Sequence, residues 1–217
     1  MQHCTIVPIL IVVILLIIYS NDYIPLEAFT RRHSVCNEID GRCYPIVDSF
    51  DQTTHAEASK MLAYLNMFSI KLMRHLRHKY LWEKQGTKYR RAMVAFLLEN
   101  YNPDSIIENN PSSDVNTSYV EDKGRIFAIC LREKESGMSR IHTKQILEFV
   151  VMHEMSHMST QEIGHEDPEF WINFKILIEE AVALGMHEPI DYAKYPISYC
   201  SLKVDYNPYF DPSIQSL

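Results

Sequence analysis

Apolar residues recur at helical spacing along much of the chain. In residues 54–80 they fall three or four positions apart, which predicts one long amphipathic helix. Residues 87–100 predict a second helix that stops near Asn102, because the residue before Pro103 disfavours helical backbone. Residues 117–120 and 125–131 flank the polar tetrapeptide EDKG and predict a β-hairpin. Two more apolar-periodic segments predict helices, one capped by Thr143 or His142 and one ending at Gly185.

A continuous apolar segment lies near the start of the sequence. Residues 6–19 read IVPILIVVILLIIY, and no Asp, Glu, Lys or Arg occurs before Asp22. A helix of this composition is long enough to cross a bilayer core. The basic residues and small-residue cleavage site of a signal peptide are missing, so residues 1–22 predict an uncleaved single-pass membrane anchor. A signal peptide and a buried core helix are the alternatives. We then expect a linker over residues 23–53 and a folded domain over residues 54–217.

Two features bear on the side of the membrane. Arg31, Arg32 and Arg42 follow the apolar segment, and positive charge of this kind favours placing the domain on the cytoplasmic side. In contrast, Cys36 and Cys43 bracket a turn-like segment and can form a disulfide loop, which requires an oxidising compartment. The chain has five cysteines, an odd number, so at least one is unpaired or bonded to another molecule.

The composition is that of a folded protein with more acidic than basic residues. Hydrophobic residues make up 47% of the chain and charged residues 23%, and the net charge is −7. That charge argues against binding of nucleic acid by the protein as a whole. Residues 71–91 are an exception, with one acid, Glu83, and eight basic residues: Lys71, Arg74, Arg77, Lys79, Lys84, Lys88, Arg90 and Arg91. This segment can contact nucleic-acid phosphates or an anionic membrane, although a solvated helix face is the simplest interpretation. Residues 161–191 are acidic and disfavour nucleic acid there.

The chemistry is concentrated in the helix that begins near Thr143. It carries the motif His153-Glu154-Met155-Ser156-His157, inside a segment whose residues 146–151 are strongly apolar. Residues four apart share a helix face, so His153 and His157 can bind one zinc ion. Glu154 then lies beside the metal as the general base that takes a proton from water. Two surface histidines on an amphipathic helix are the alternative interpretation.

A catalytic zinc site needs a third protein ligand. His165 is the first candidate, because Gly164 can end the motif helix in a left-handed turn and return the chain to the ion. Glu179 or Glu180 is the main alternative, and Glu162, Glu166 and Asp167 are further ones. Glu180 can instead accept a hydrogen bond from a ligand histidine.

The HEMSH motif, the Gly-His pair and the following Phe170 together resemble the Wss-like metalloprotease (WLM) and SprT-like zinc peptidases. More widely, residues 117–211 resemble WLM-like proteins of large DNA viruses and some protists. The resemblance implies an α+β zincin-like domain with His153, His157 and His165 as zinc ligands and Glu154 as catalytic base. The loop between His157 and His165 holds seven residues, more than in typical WLM members, which leaves the third ligand open.

The function implied is zinc-dependent hydrolysis of a polypeptide by a membrane-anchored enzyme. One alternative is a catalytically silent, zinc-stabilised structural protein, for example in a virion membrane. Another is a protease recruited to nucleic acid by residues 71–91. In zincins an edge strand pairs with the extended substrate, and residues 117–120 or 125–131 would supply that edge.

Two residues of the C-terminal segment are further candidates for a role at the metal site. Tyr199 could donate a hydrogen bond to the oxyanion, and a Cys200 thiolate could occupy the open metal position. Packing of an aromatic tail against the domain is the simpler interpretation of both residues.

Overall fold

The computed structural model describes residues 32–48, 53–109, 117–133, 140–161 and 167–215. The fold is α+β, with small sheets arranged around a group of helices. The helices are α1 (Thr53–Leu76), α2 (Lys88–Asn100), α3 (Lys144–Ser159) and α4 (Pro168–Ala183). The strands are β1 (Arg32–Cys36), β2 (Cys43–Val47), β3 (Ile106–Asn109), β4 (Tyr119–Glu121), β5 (Ile126–Cys130), β6 (Ile197–Tyr199) and β7 (Leu202–Val204).

Strands β1 and β2 form an antiparallel hairpin inside the segment predicted to be a linker. Cys36 pairs with Cys43 across the hairpin, and the two form a disulfide, which confirms the predicted loop. Tyr44, Ile46 and Val47 of β2 are buried in the main core. Residues 32–47 therefore belong to the folded domain, because alternate β2 side chains find apolar partners that a linker would lack.

Helix α1 confirms the predicted long amphipathic helix. Its apolar stripe is fully buried at Ala58, Leu62, Leu65, Leu72 and Leu76. The helix continues as a π-helical segment over Arg77–Trp82. Helix α2 also follows the prediction, and the side chain of Thr87 caps it by accepting from the backbone N–H of Arg90.

The predicted hairpin forms the core of a sheet with order β3-β5-β4 in the described parts of the chain. Strands β4 and β5 pair antiparallel, as predicted, and β3 pairs parallel to β5. The connection between β4 and β5 is tight at Gly124, where φ is +110° and an added Cβ would lie 2.1 Å from the carbonyl oxygen of Asn100. This contact brings the end of α2 against the sheet.

Helices α3 and α4 pack together at the centre of the molecule. Thr143 is the N-cap residue of α3, as predicted. Helix α4 starts at a capping Asp167 and ends before Gly185, whose φ of +63° suits glycine after a helix. The apolar face of α4 is buried at Phe170, Phe174, Leu177, Ile178 and Ala181, and Trp171 on the same helix is partly buried.

The C-terminal segment lies across the domain, as predicted for an aromatic tail. Strands β6 and β7 form a short hairpin, and Cys200, directly after β6, is disulfide-bonded to Cys130 of β5. The ammonium of Lys175 on α4 donates to the carbonyl oxygens of Asp211 and Ile214, at 2.7 and 2.9 Å. These contacts fasten the end of the chain to the sheet and to α4.

A search of the described helices finds none that is both long and apolar enough to span a membrane. The predicted anchor, residues 1–22, lies outside the described residues, as does Cys4.

The two disulfides should differ in their contribution to stability. Cys130 and Cys200 are 70 residues apart in sequence, whereas Cys36 and Cys43 are 7 apart. Because a longer closed loop removes more entropy from the unfolded chain, Cys130→Ala/Cys200→Ala should lower the free energy of unfolding by about 4 kcal/mol and Cys36→Ala/Cys43→Ala by about 2.5 kcal/mol. Urea denaturation of the two double variants measures this difference. Equal losses would contradict the expected order.

Candidate metal site on the central helix

The motif helix α3 is buried on almost every side. Within the fully described stretch 146–160, every residue is buried except His153 and His157. A helix enclosed in this way normally presents apolar side chains all round. The two imidazoles are therefore the points where the helix reaches the surface of the protein.

The two histidine rings lie close together on α3. Their centroids are 5.1 Å apart and their planes are inclined by 76°. With a zinc–nitrogen distance of about 2.0 Å and tetrahedral angles, two imidazoles on one ion have centroids about 5 Å apart. The residues present thus fit two positions of a tetrahedral site.

The electrostatic environment favours neutral imidazole. Burial, and secondarily the neighbouring His157, lower the pKa of His153 to about 3. A neutral ring keeps a lone pair available for a metal ion.

Helix α4 supplies the aromatic wall of the site. The ring of Phe170 lies 4.4 Å from the His157 ring and 4.9 Å from the His153 ring, and Phe174 lies 5.3 Å from the His153 ring, all between centroids. Asp167 positions this wall, since its Oδ1 accepts from the backbone N–H of Phe170 at 2.9 Å. That N-cap role occupies one carboxylate oxygen of a residue considered as a third ligand.

Glu154 is buried, with 4% of its surface exposed. Burial, and more weakly the negative charge of Glu154, raise the pKa of Tyr199, which places the carboxylate close to that ring. The Tyr199 hydroxyl donates to the carbonyl of Cys130 at 2.8 Å and lies 2.7 Å from Ser118 Oγ. Its proton is thus engaged, and Tyr199 packs beside the site instead of serving as the oxyanion donor considered from sequence.

Cys200 does not provide the thiolate considered from sequence. Its sulfur is bonded to Cys130, and both residues are buried. A disulfide sulfur carries no negative charge to offer a metal ion. The bridge instead holds β6, and with it Tyr199, next to the sheet.

The carboxyl end of α3 is held by side chains that the sequence patterns did not single out. Asn100 Nδ2 donates to the carbonyl of Met158 at 2.8 Å, and Asn173 Nδ2 donates to that of Ser159 at 3.2 Å. Lys123 Nζ donates to the carbonyl of Thr160 at 2.6 Å. The last carbonyls of a helix have no partner within it, so these donors fix the direction in which the chain leaves. In the sequence, the only sign of these contacts is the presence of isolated Asn residues among apolar helix positions.

The predicted third ligand lies outside the residues that the structure describes. His165, like Glu162 and Glu166, lies in the interval 162–166. Helix α3 ends at Ser159, before Gly164, so the predicted helix-ending role of Gly164 is wrong. Among the described residues, no group of three His, Cys, Asp or Glu side chains is placed to hold a metal ion.

Glu180 serves a different purpose from either of those predicted. Its carboxylate accepts from Lys79 Nζ at 2.8 Å and from Tyr80 at 2.5 Å, and lies 3.0 Å from His75 Nε2. It is six residues beyond Phe174, about 9 Å along the helix axis. Glu180 therefore joins α4 to the π-helical segment, and the histidine that it contacts is His75, not a motif histidine.

The electrostatics of Glu180 match this role. Burial alone would raise its pKa, but hydrogen bonds from Lys79, Tyr80 and His75 lower the pKa below its ordinary value of 4.5. The neighbouring Glu179 is more exposed and lies 3.8 Å from Arg90. Both alternative glutamate ligands thus face basic side chains.

The strand order of the sheet excludes one of the two strands predicted to pair with an extended peptide. Strand β5 lies between β3 and β4, so residues 126–130 have strands on both sides and cannot accept another. Within the described sheet, β4 is at an edge, and α3 packs beside it. Of the two predicted edges, the one at 117–120 fits this topology.

Comparisons with known proteins find relatives in large DNA viruses. The chain is 34% identical over 101 residues to Uncharacterized protein R325 of Acanthamoeba polyphaga mimivirus, covering 46% of this chain and 49% of that protein. It is 34% identical over 105 residues to Uncharacterized protein 042R of Invertebrate iridescent virus 3, covering 48% and 62%. It is 34% identical over 71 residues to Uncharacterized protein 136R of Invertebrate iridescent virus 6, covering 33% and 39%.

These similarities support a viral protein and agree with the viral part of the resemblance described above. The chain spans about half the length of the relatives it matches. No family model matches the sequence, and no solved structure is similar to it.

Removing the charge of Glu180 should destabilise the domain. In Glu180→Gln, the buried Tyr80 and the ammonium of Lys79 lose a charged acceptor, so the free energy of unfolding at pH 7 should fall by about 2 kcal/mol. Glu179→Gln is the matched control and should change it by less than about 0.5 kcal/mol. Urea denaturation measures both.

The same pair of variants has an expected pH dependence. Because folding lowers the pKa of Glu180, its stabilising effect is present above pH 4.5 and declines as the pH falls through the lowered value. The difference between wild type and Glu180→Gln should therefore shrink in acid. A difference that stays constant down to pH 2.5, about the lower end of the carboxylate range, would contradict this assignment.

Proposed function

We propose that this protein is a zinc-dependent peptidase whose metal site is built on His153 and His157. One observation carries the proposal: in an otherwise buried helix, two partly exposed imidazoles lie one turn apart with their rings 5.1 Å apart between centroids, and a buried glutamate lies between them in sequence. Imidazole nitrogens one helical turn apart can bind one metal ion together.

The donor set suits zinc. Imidazole nitrogens are common zinc ligands, and a catalytic site uses three protein ligands with one position left for water. We propose His165 as the third ligand, following the resemblance to WLM and SprT-like peptidases.

When bound, zinc would act as a Lewis acid toward the peptide carbonyl and make water more acidic. The work of this chain falls mainly on Glu154. Its carboxylate accepts the proton of the attacking water and then delivers it to the leaving amine nitrogen. Burial beside Tyr199 keeps the carboxylate in one place, which general base catalysis requires.

The proposed substrate is an extended polypeptide. Strand β4 lies at an edge of the described sheet and beside the motif helix, so a peptide added antiparallel to Tyr119–Glu121 would run past the two histidines. Main-chain hydrogen bonds of this kind recognise extended backbone whatever its side chains. Broad sequence tolerance with a preference for unfolded segments follows from this mode of binding.

We also propose that the protein is attached to a membrane through residues 1–22. The positive charges after the segment favour a cytoplasmic domain, but two disulfides within the described residues favour an oxidising compartment. A virion membrane is one location that would combine these features.

Glu154→Gln separates catalysis from metal binding. The variant should retain zinc, because Glu154 is not a ligand, but should cleave an unfolded protein such as reduced casein about a hundred-fold to ten-thousand-fold more slowly. Activity is measured by release of fluorescent peptides, and zinc by elemental analysis of the purified full chain. If wild type binds zinc and shows no cleavage beyond that of Glu154→Gln, the alternative of a zinc-stabilised structural protein replaces the proposal.

The zinc content of variants tests the identity of the third ligand, without any measurement of activity. His165→Ala should lose most of the zinc that wild type holds at one ion per chain, as His157→Ala should. Glu179→Gln is the control on the alternative glutamates and should keep its zinc. Retention of zinc by His165→Ala, with loss in Glu179→Gln, would move the third ligand to α4.

A further inference from the structure

The basic segment 71–91 separates into inward and outward side chains. Lys79 and Arg90 contact Glu180, and Arg91 donates to the backbone carbonyl of Gly86 at 2.7 Å. These three cations hold the fold together. The remaining five are exposed, and together with Trp82 we call them the cationic face: Lys71, Arg74, Arg77, Lys84 and Lys88.

The charge of the cationic face is not neutralised locally. None of its five cations makes an ion pair within 4.0 Å with an acid among the described residues. Glu83, the one acid in residues 71–91, contacts His78 and Gln85. The protein as a whole has a net charge of −7, so this positively charged surface has the opposite sign to the rest of the molecule. It therefore attracts an anionic partner to this one region.

Large apolar side chains accompany these charges. Trp82 is 63% exposed, with the Arg77 guanidinium 5.1 Å above its ring and the His78 ring 5.6 Å away. Met67 is 46% exposed and lies one turn before Lys71 on the same face of α1. The face therefore offers apolar contact as well as charge.

The π-helical segment explains how Trp82 comes to be exposed. Within Arg77–Trp82, Tyr80 turns inward and is 1% exposed, where its hydroxyl donates to Glu180. That anchor holds the segment against α4 while Trp82, two residues later, points outward. The exposed indole is thus part of a rigid surface and not of a loose end.

We propose that the cationic face lies on an anionic phospholipid bilayer, with Trp82 in the headgroup layer. Indole rings prefer this interface, and each nearby Lys or Arg adds attraction to anionic lipid. Contact with lipid chains would remove the apolar side chain of Met67 from water, whereas contact with phosphates alone would not. The same sequence also contains the apolar segment 6–19, which would keep the chain at a membrane.

A single-stranded nucleic acid fits the face less well. Base stacking needs an open aromatic surface, and Arg77 already lies over one side of the indole. The other aromatic rings of this segment are not available for stacking, because Tyr80 is buried and the hydroxyl of Tyr89 donates to Asn173. We therefore treat nucleic-acid binding as an outcome that the experiment can detect.

The test measures contact of Trp82 with lipid in the full chain. The protein is reconstituted in phosphatidylcholine vesicles with or without about 30% phosphatidylserine, using brominated lipids that quench nearby tryptophan. Quenching should be strong in anionic vesicles, weak in neutral ones and largely lost at about 0.5 M salt. Trp82→Phe leaves Trp171 as the reference emitter and should remove the quenched component.

Matched charge variants complete the test. Lys71→Gln/Arg74→Gln/Lys88→Gln should lose most of the quenching in anionic vesicles. The control Arg125→Gln/Lys194→Gln/Lys203→Gln changes the net charge equally, at exposed cations that pair with acids elsewhere, and should keep it. Circular dichroism melting confirms that both variants are folded.

Three results would overturn the proposal. The first is equal quenching in neutral and anionic vesicles, and the second is equal quenching of the two triple variants. The third is a change of Trp82 emission on addition of a single-stranded oligonucleotide, without any quenching by vesicles. None of these depends on zinc or on peptidase activity, so the membrane surface and the proposed enzyme can fail separately.

Discussion

Enclosure of helix α3 is the constraint on which the rest of the structure depends. The helix is covered by α1, α2, α4 and the sheet, so its apolar residues supply much of the core. Burial of each large apolar side chain contributes about 1.5–3 kcal/mol, which fixes the helix firmly. His153 and His157 stand out against this enclosure, because they are the two partly exposed side chains of residues 146–160.

Buried glutamates join the surrounding elements to this helix. Glu108 accepts from Arg132 at 2.5 Å and from the backbone N–H of Val47 at 2.8 Å, which ties β3 to β2. Glu148, on another face of α3, contacts Tyr64 and His187, and Glu180 ties α4 to the π-helical segment. In each case a cation, hydroxyl or ring nitrogen satisfies the carboxylate. Glu154 is a further buried glutamate, and it lies close enough to Tyr199 for its negative charge to raise the pKa of that hydroxyl.

Much of the fold and half of the site could be predicted from sequence. Helical periodicity located α1, α2, α3 and α4, and HEMSH placed His153, Glu154 and His157 together, because these patterns are local. The sequence predicts a linker where the hairpin β1–β2 forms, because the short apolar run from Tyr44 to Val47 has no long-range periodicity. The partners of Glu180 were missed because His75, Lys79 and Tyr80 are about a hundred residues away in sequence.

The sequence by itself determined which residues form helices and that two histidines and a glutamate share a turn of one of them. Backbone geometry relates neighbours three and four apart, so no other part of the chain is needed for that conclusion. Tertiary structure alone decided that this turn opens to the surface of an otherwise buried helix. It also decided that β4, not β5, is an edge strand and that the basic segment divides into structural and exposed cations. Those properties depend on packing between distant segments, and no local pattern records it.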